Sequence, residues 1–206
     1  MFSEQQLDAL RENIKQYMGA HRYDHTLGVE KAVIFLGSIF LLEYVSELRV
    51  AALLHDITKE MSYDDQFSLL SSEGLIISEE DKMALPALHS FSAVPFIKIR
   101  FTDYATNNIL SSVFNHTLGN ENMTLFDKII FIADFIEDGR TYDSCIATAD
   151  FLKRNVSADN MLEKNLCFLD QAILMAIDAT ISSVVKKNQT PHSRTIAMRN
   201  KLQTNN

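Results

Sequence analysis

Met161, Leu162, Leu166, Leu169, Ile173, Ile177, Ile181 and Val184 recur at helical spacing through one unbroken stretch, residues 157 to 187. Strands are far shorter and repeat with period 2, so this segment reads as a long helix. A similar pattern places Leu27, Ala32, Val33, Leu36, Ile39 and Phe40 on a helix from Tyr23 to about Tyr44. Nowhere do apolar and polar residues alternate as in a half-buried strand. Three prolines and six glycines in 206 residues leave helices free to run long. The pattern predicts a single all-α domain over residues 1–206, of roughly eight to ten helices, with a tail that frays from about residue 200.

Further helices are predicted from Ser46 to Ile57, with Ser46 as N-cap, and from Ser62 to about Leu70. Ser78-Glu79-Glu80-Asp81 reads as a capped start leading toward Ala87, residues 90–100 and 103–115 as two more helices, and Leu125 to Glu137 as an apolar helix that EDGR ends at Gly139.

The net charge of −8 argues against a nucleic-acid backbone as partner, which needs clustered Lys and Arg. Cys145 and Cys167 stand far apart in no CxxC pattern and read as two reduced core thiols. The acidic start MFSEQQLDALREN has no signal-peptide apolar block, and the most apolar run, residues 32 to 42, is too short to cross a membrane. The chain is expected to be cytoplasmic, with no membrane partner. Apolar helices near the C-terminus offer a face for a homodimer.

Against this background AALLHDITK, residues 51–59, stands out, because it sets a histidine, an aspartate and a lysine on a buried apolar run. Burying such groups is costly unless they are paired or bind a metal. His25 shares a helix face with Val29, Ala32 and Leu36; His55 follows Leu48 by seven residues; Asp134 follows Ile130 by four. Three inward ionisable groups on three helices need one shared explanation, and a metal ion provides it. Asp56, about 100° around the helix from His55, can straddle the same ion. Mixed nitrogen and oxygen ligands suit iron, manganese, cobalt or zinc rather than calcium.

Lys59 lies one turn after His55, and Arg140 lies six residues after Asp134. Beside a divalent ion both read as phosphate clamps, and Arg22, three residues before His25, invites the same reading. His89 and His116 are open between ligands of a second metal ion, phosphate donors and helix-end histidines. His21 reads as a surface residue and His192 as structural. There is no Gly-rich phosphate loop, no GxSxG and no nucleophilic Cys with a paired His. What remains is metal-assisted attack of water on phosphorus.

The ordered set H…HD…H…H…D resembles the HD-domain metal-dependent phosphohydrolases, which are all-α helical bundles. RYDHTLGVEKA, AALLHDITKEM, HTLGNENMTLFDKIIFIADFIEDGR and PHSRTIAMRN together resemble the YqeK-type branch, over about residues 5 to 200. That branch consists of symmetrical hydrolases that cut diadenosine tetraphosphate into two ADP. The resemblance implies a metal, usually iron, on His25, His55, Asp56 and Asp134, as one or two ions. The mechanism expected from these residues puts catalytic work on Asp56, Lys59, His89 and His116. Nucleotide contacts would fall on Arg22, Lys59, His89, His116, Thr117 and Arg140. The branch's D-N-T-I stretch stands here as Asp178-Ala179-Thr180-Ile181, so Asp178 and Thr180 would line the nucleotide pocket. The alanine in that stretch, and EDGR without a proline before its glycine, depart from the pattern. The same residues admit other substrates of the superfamily: a nucleoside monophosphate, a guanosine polyphosphate or a cyclic dinucleotide. They also admit a non-catalytic metal-dependent nucleotide sensor.

Overall fold

A computed structural model describes residues 1–204. Those residues form eleven α-helices and no strand. In chain order they are α1 (Glu4–Ile14), α2 (Ala20–Phe40), α3 (Val45–Leu54), α4 (Tyr63–Ser72), α5 (Glu79–Met83) and α6 (Leu88–Arg100). α7 (Asn107–Asn115), α8 (Leu125–Ile136), α9 (Asp143–Asn155), α10 (Leu162–Lys186) and α11 (Ser193–Thr204) complete the bundle.

Polar caps set several starts. The side chains of Ser62, Ser78 and Thr124 accept from the backbone N–H three residues on, and Asp81 and Asp127 return the bond in two capping boxes. The second predicted helix needs correction at both ends. It starts at Val45, Ser46 instead accepts from the Phe2 amide, and the helix stops at Leu54 rather than Ile57. α5 stops short of Ala87 because Pro86 restricts the residue before it and has no N–H to give. α8 ends at Ile136, where Glu137 turns extended, so EDGR ends the helix without a left-handed glycine at 139.

α1, α9 and α11 did not stand out in the sequence. The buried face of α9 is Cys145, Thr148, Ala149 and Leu152, mostly small residues with little apolar contrast. The tail expected to fray from about residue 200 is helical through Thr204, because Leu202 is buried in the core. Cys145 is buried as expected, whereas Cys167 is exposed on α10.

One apolar core runs from Leu7 on α1 to Leu202 on α11. α2 packs against α3 and α8, and α7 against α3, α6 and α8. α10 is apolar and long enough to cross a membrane by length and composition, but its Leu169, Ala172, Ile173, Ala176 and Ile177 lie in this core. Leu53 is fully buried on the helix that leads into the HD pair. Leu53→Ala is expected to cost about 2–5 kcal/mol by transfer and cavity terms. A urea titration checks it, with an unchanged midpoint as the contrary result.

Candidate metal centre

The end of α3 carries the HD pair. His55 and Asp56 sit in the turn after Leu54, where His55 keeps helical angles (φ −58°, ψ −39°), so the two side chains remain offset around the axis. Both are buried and flank the same cleft. α2 brings His25 to that cleft, and the last turn of α8 brings Asp134.

His25 Nε2 lies 3.1 Å from Asp134 Oδ1 and 3.7 Å from Asp56 Oδ2. His55 Nε2 lies 3.4 Å from Asp56 Oδ2 and 3.9 Å from Asp134 Oδ1. Ligands about 2.1 Å from a common ion stand roughly 3 to 3.5 Å apart, so the spacing fits a divalent metal.

The imidazole tautomers fit as well. His55 Nδ1 donates to the Ala52 carbonyl at 2.6 Å, and His25 Nδ1 to Glu137 Oε1 at 3.1 Å. Each Nε2 is thereby left with a lone pair aimed inward. Among the described residues, both Nε2 atoms are buried without a hydrogen-bond partner. A buried polar atom is ordinarily paired, so two such atoms facing each other beside two carboxylates mark a ligand position.

The donor set extends beyond these four residues. His116 Nδ1 donates to the Val113 carbonyl at 2.6 Å, which turns its Nε2 inward too, 3.5 Å from Asp56 Oδ1. One ligating atom from each of His25, His55 and Asp134 lies within 4.8 Å of the others, and the same holds for His55, Asp56 and His116.

Charge is balanced closely. Burial alone would raise the pKa of Asp56, but His55, His89 and His116 hold its carboxyl well below the usual range. Burial opposes ionisation of Asp134 too, and His25 with Arg140 holds it well below that range. Arg22 Nη1 pairs with Asp56 Oδ2 at 2.5 Å, and Arg140 Nη2 with Asp134 Oδ1 at 2.5 Å. Lys59 donates to the Pro86 carbonyl and to His89 Nδ1, both at 3.0 Å, and its pKa is lowered, chiefly by burial. Lys59 Nζ also lies 3.3 Å from His89 Nε2, so it is the carboxylate of Asp56, an acceptor only, that draws the His89 proton to Nε2, 3.0 Å from Asp56 Oδ1. Burial pushes the His89 imidazole down to about 4. Thr117 Oγ1 lies 3.0 Å from His116 Nε2 and 3.2 Å from His89 Nε2.

The structure therefore gathers Arg22, His25, His55, Asp56, Lys59, His89, His116, Thr117, Asp134 and Arg140 into one cleft. It does not bring Asp178 or Thr180 there. Asp178 is exposed on α10 and ion-paired with Arg199, and Thr180 donates to the Ala176 carbonyl at 2.9 Å. Neither bonds to the histidine cluster among the described residues. His21 is exposed, and His192 is buried 3.1 Å from Asp81.

Glu137 escaped the sequence reading. It is buried, accepts from the Gly139 amide at 2.6 Å, and fixes His25. Its sequence signals were an acidic residue one turn past Asp134 and a glycine, Gly28, one turn past His25.

The HD domain model matches residues 22–137, which contain every residue of the cleft except Arg140. The chain belongs to the HD domain family. Three curated proteins named symmetrical bis(5'-nucleosyl)-tetraphosphatase are similar over most of its length. That of Halalkalibacterium halodurans is 26% identical, with 92% of each chain covered. That of Bacillus subtilis is 27% identical over 85% of this chain and 86% of its own. Among solved structures, a Clostridium acetobutylicum protein named as a predicted HD superfamily hydrolase involved in NAD metabolism superposes with a TM-score of 0.82. It is 30% identical and both chains are covered in full. The all-α HD bundle and the hydrolase class follow.

Proposed function

We propose that the protein is a metal-dependent hydrolase that cleaves diadenosine tetraphosphate symmetrically into two ADP, acting in the cytoplasm. The observation that carries this reading is the pair of orphaned imidazole nitrogens facing Asp56 and Asp134 inside a ring of three cations. The names of the three curated relatives supply the substrate. The free thiols Cys145 and Cys167 are consistent with a reducing compartment.

His25, His55, Asp56 and Asp134 would hold a divalent ion, with iron first and manganese, cobalt or zinc as alternatives. When bound, such an ion supplies Lewis acidity toward phosphoryl oxygens and makes water nucleophilic near neutral pH. The chain's own residues do the rest. Arg22 and Arg140 are 22% and 32% exposed at the edge of the cleft, where they meet an incoming polyphosphate. Lys59 adds a third cation against the His89 ring, and Asp56 Oδ1 draws the His89 Nε2 proton inward, where it orients a phosphoryl oxygen. His116 and Thr117 complete that wall. Cleavage between the two inner phosphates leaves a diphosphate oxygen, which needs fixed positive charge more than a strong acid.

Lys59→Met removes one fixed cation and its contact with the His89 ring. It is expected to lower kcat on the order of 10²-fold, as for loss of one preorganised donor. Steady-state kinetics check it, and an unchanged kcat would remove Lys59 from the mechanism.

Chromatography of products from metal-loaded protein tests the function. Two ADP are expected, and ATP plus AMP would refute symmetrical cleavage. The name of the Clostridium acetobutylicum neighbour raises a second reading, a different nucleotide substrate for the same centre. A nucleotide panel run in the same assay decides it, by whichever substrate has the higher kcat/KM.

A further inference from the structure

The first turn of α11 reaches back to the wall of the cleft. Arg194 Nε donates to the Gly119 carbonyl at 3.2 Å, and Arg194 Nη2 to Asn115 Oδ1 at 2.8 Å. Thr195 Oγ1 donates to the Leu118 carbonyl between them at 2.8 Å. These three bonds span the turn that carries His116 and Thr117.

The guanidinium also stacks on two rings that themselves touch. It lies 4.7 Å from the Phe114 centroid and 5.5 Å from that of Phe91, and the ring centroids are 5.0 Å apart. Phe114 sits two residues before His116 on α7, and Phe91 two residues after His89 on α6. An arginine fork can bond and stack at once, which an ammonium cannot do with the same geometry. At Gly119, φ is +70° and an added Cβ would overlap Met198 Sδ, so α11 seats directly on this turn.

We infer that Arg194 is a positioning residue: from a helix outside the cleft it sets the distance between the His89 wall and the His116–Thr117 wall. The His89 Nε2 to His116 Nε2 separation of 3.0 Å is the quantity it controls. The inference rests on the hydrolytic reading of the cleft, because it assigns Arg194 a part in turnover.

The test compares metal-loaded wild type with Arg194→Met. A misplaced catalytic wall predicts a kcat on diadenosine tetraphosphate lower by roughly 10-fold or more, with KM within about twofold. Bound metal per chain stays unchanged. Exchange of the Gly119 amide, which bonds to the Asn115 carbonyl at 2.9 Å, speeds up while amides of α2 and α8 keep their protection. Should the methionine variant not fold, Arg194→Lys, which loses the two-pronged bonding, carries the same comparison. A lower melting temperature with intact kcat and unchanged Gly119 exchange would overturn the inference. If wild type leaves diadenosine tetraphosphate uncut, the functional reading fails on its own, and Gly119 exchange still decides whether Arg194 holds the turn.

Discussion

Asp134→Ala is expected to give a folded helical protein whose turnover of diadenosine tetraphosphate is lower on the order of 10³-fold or more, since a ligand of the divalent ion is lost and with it the ion's charge at the reacting phosphate. The fold should survive because the neighbours of Asp134 on α8, Ile130 and Ala133, remain in the core. Asp134 itself is 22% exposed, and its partner Arg140 is exposed enough to be rehydrated. His25 would keep its bond to Glu137. What is removed is one of the two carboxylates facing the orphaned imidazoles, so metal content should fall together with rate. Circular dichroism, elemental analysis and kinetics on the same preparation check all three. A variant with wild-type rate and metal content would remove Asp134 from the centre.

Asp134 was legible because carboxylates are almost never buried alone in an apolar helix, and its sequence neighbours Ala133 and Phe135 exposed the anomaly. His25 and His55 were placed inward by helical phase, and only their company with Asp134 pointed to a ligand role. Glu137 was not, since it lies just past the end of α8, where an acidic residue ordinarily faces solvent. Asp178 and Thr180 entered by resemblance alone, and in the fold Asp178 pairs with Arg199 on the surface of α10. Periodicity gave the long helices and missed α9, whose buried face is built of small residues. The HD turn was also hidden. Its apolar run reads as continuous helix, and only tertiary structure shows that α3 stops at Leu54.

The second large effect concerns that hidden carboxylate. Gly28 lies one turn after His25 on α2, and a Cβ there would overlap Glu137 Oε2 and come within 3.4 Å of the Glu137 Cβ. Glu137 cannot simply swing aside. It is buried, and moving it breaks its bonds to the Gly139 amide and to His25 Nδ1. His25 would then lose the partner that holds its Nε2 lone pair toward the centre. Gly28→Ala is therefore expected to weaken metal binding by about 10–100-fold, as for loss of a carboxylate behind a ligating histidine. An alanine in mid-helix gains at most about 1 kcal/mol for the helix, less than the displaced, buried Glu137 and its broken bonds cost, so the metal-free protein should also melt at a lower temperature. Metal titration by calorimetry or competition with a chelator reads the effect. Unchanged affinity would mean that Glu137 does not govern His25.

Anomalous diffraction from crystals of the protein loaded with iron or manganese addresses the metal centre itself. The expected result is a peak about 2.0–2.2 Å from His25 Nε2, His55 Nε2 and a carboxylate oxygen of Asp134, with Asp56 beside it. A cleft in which the two imidazoles turn away from each other, with the anomalous signal elsewhere on the surface, would contradict the account.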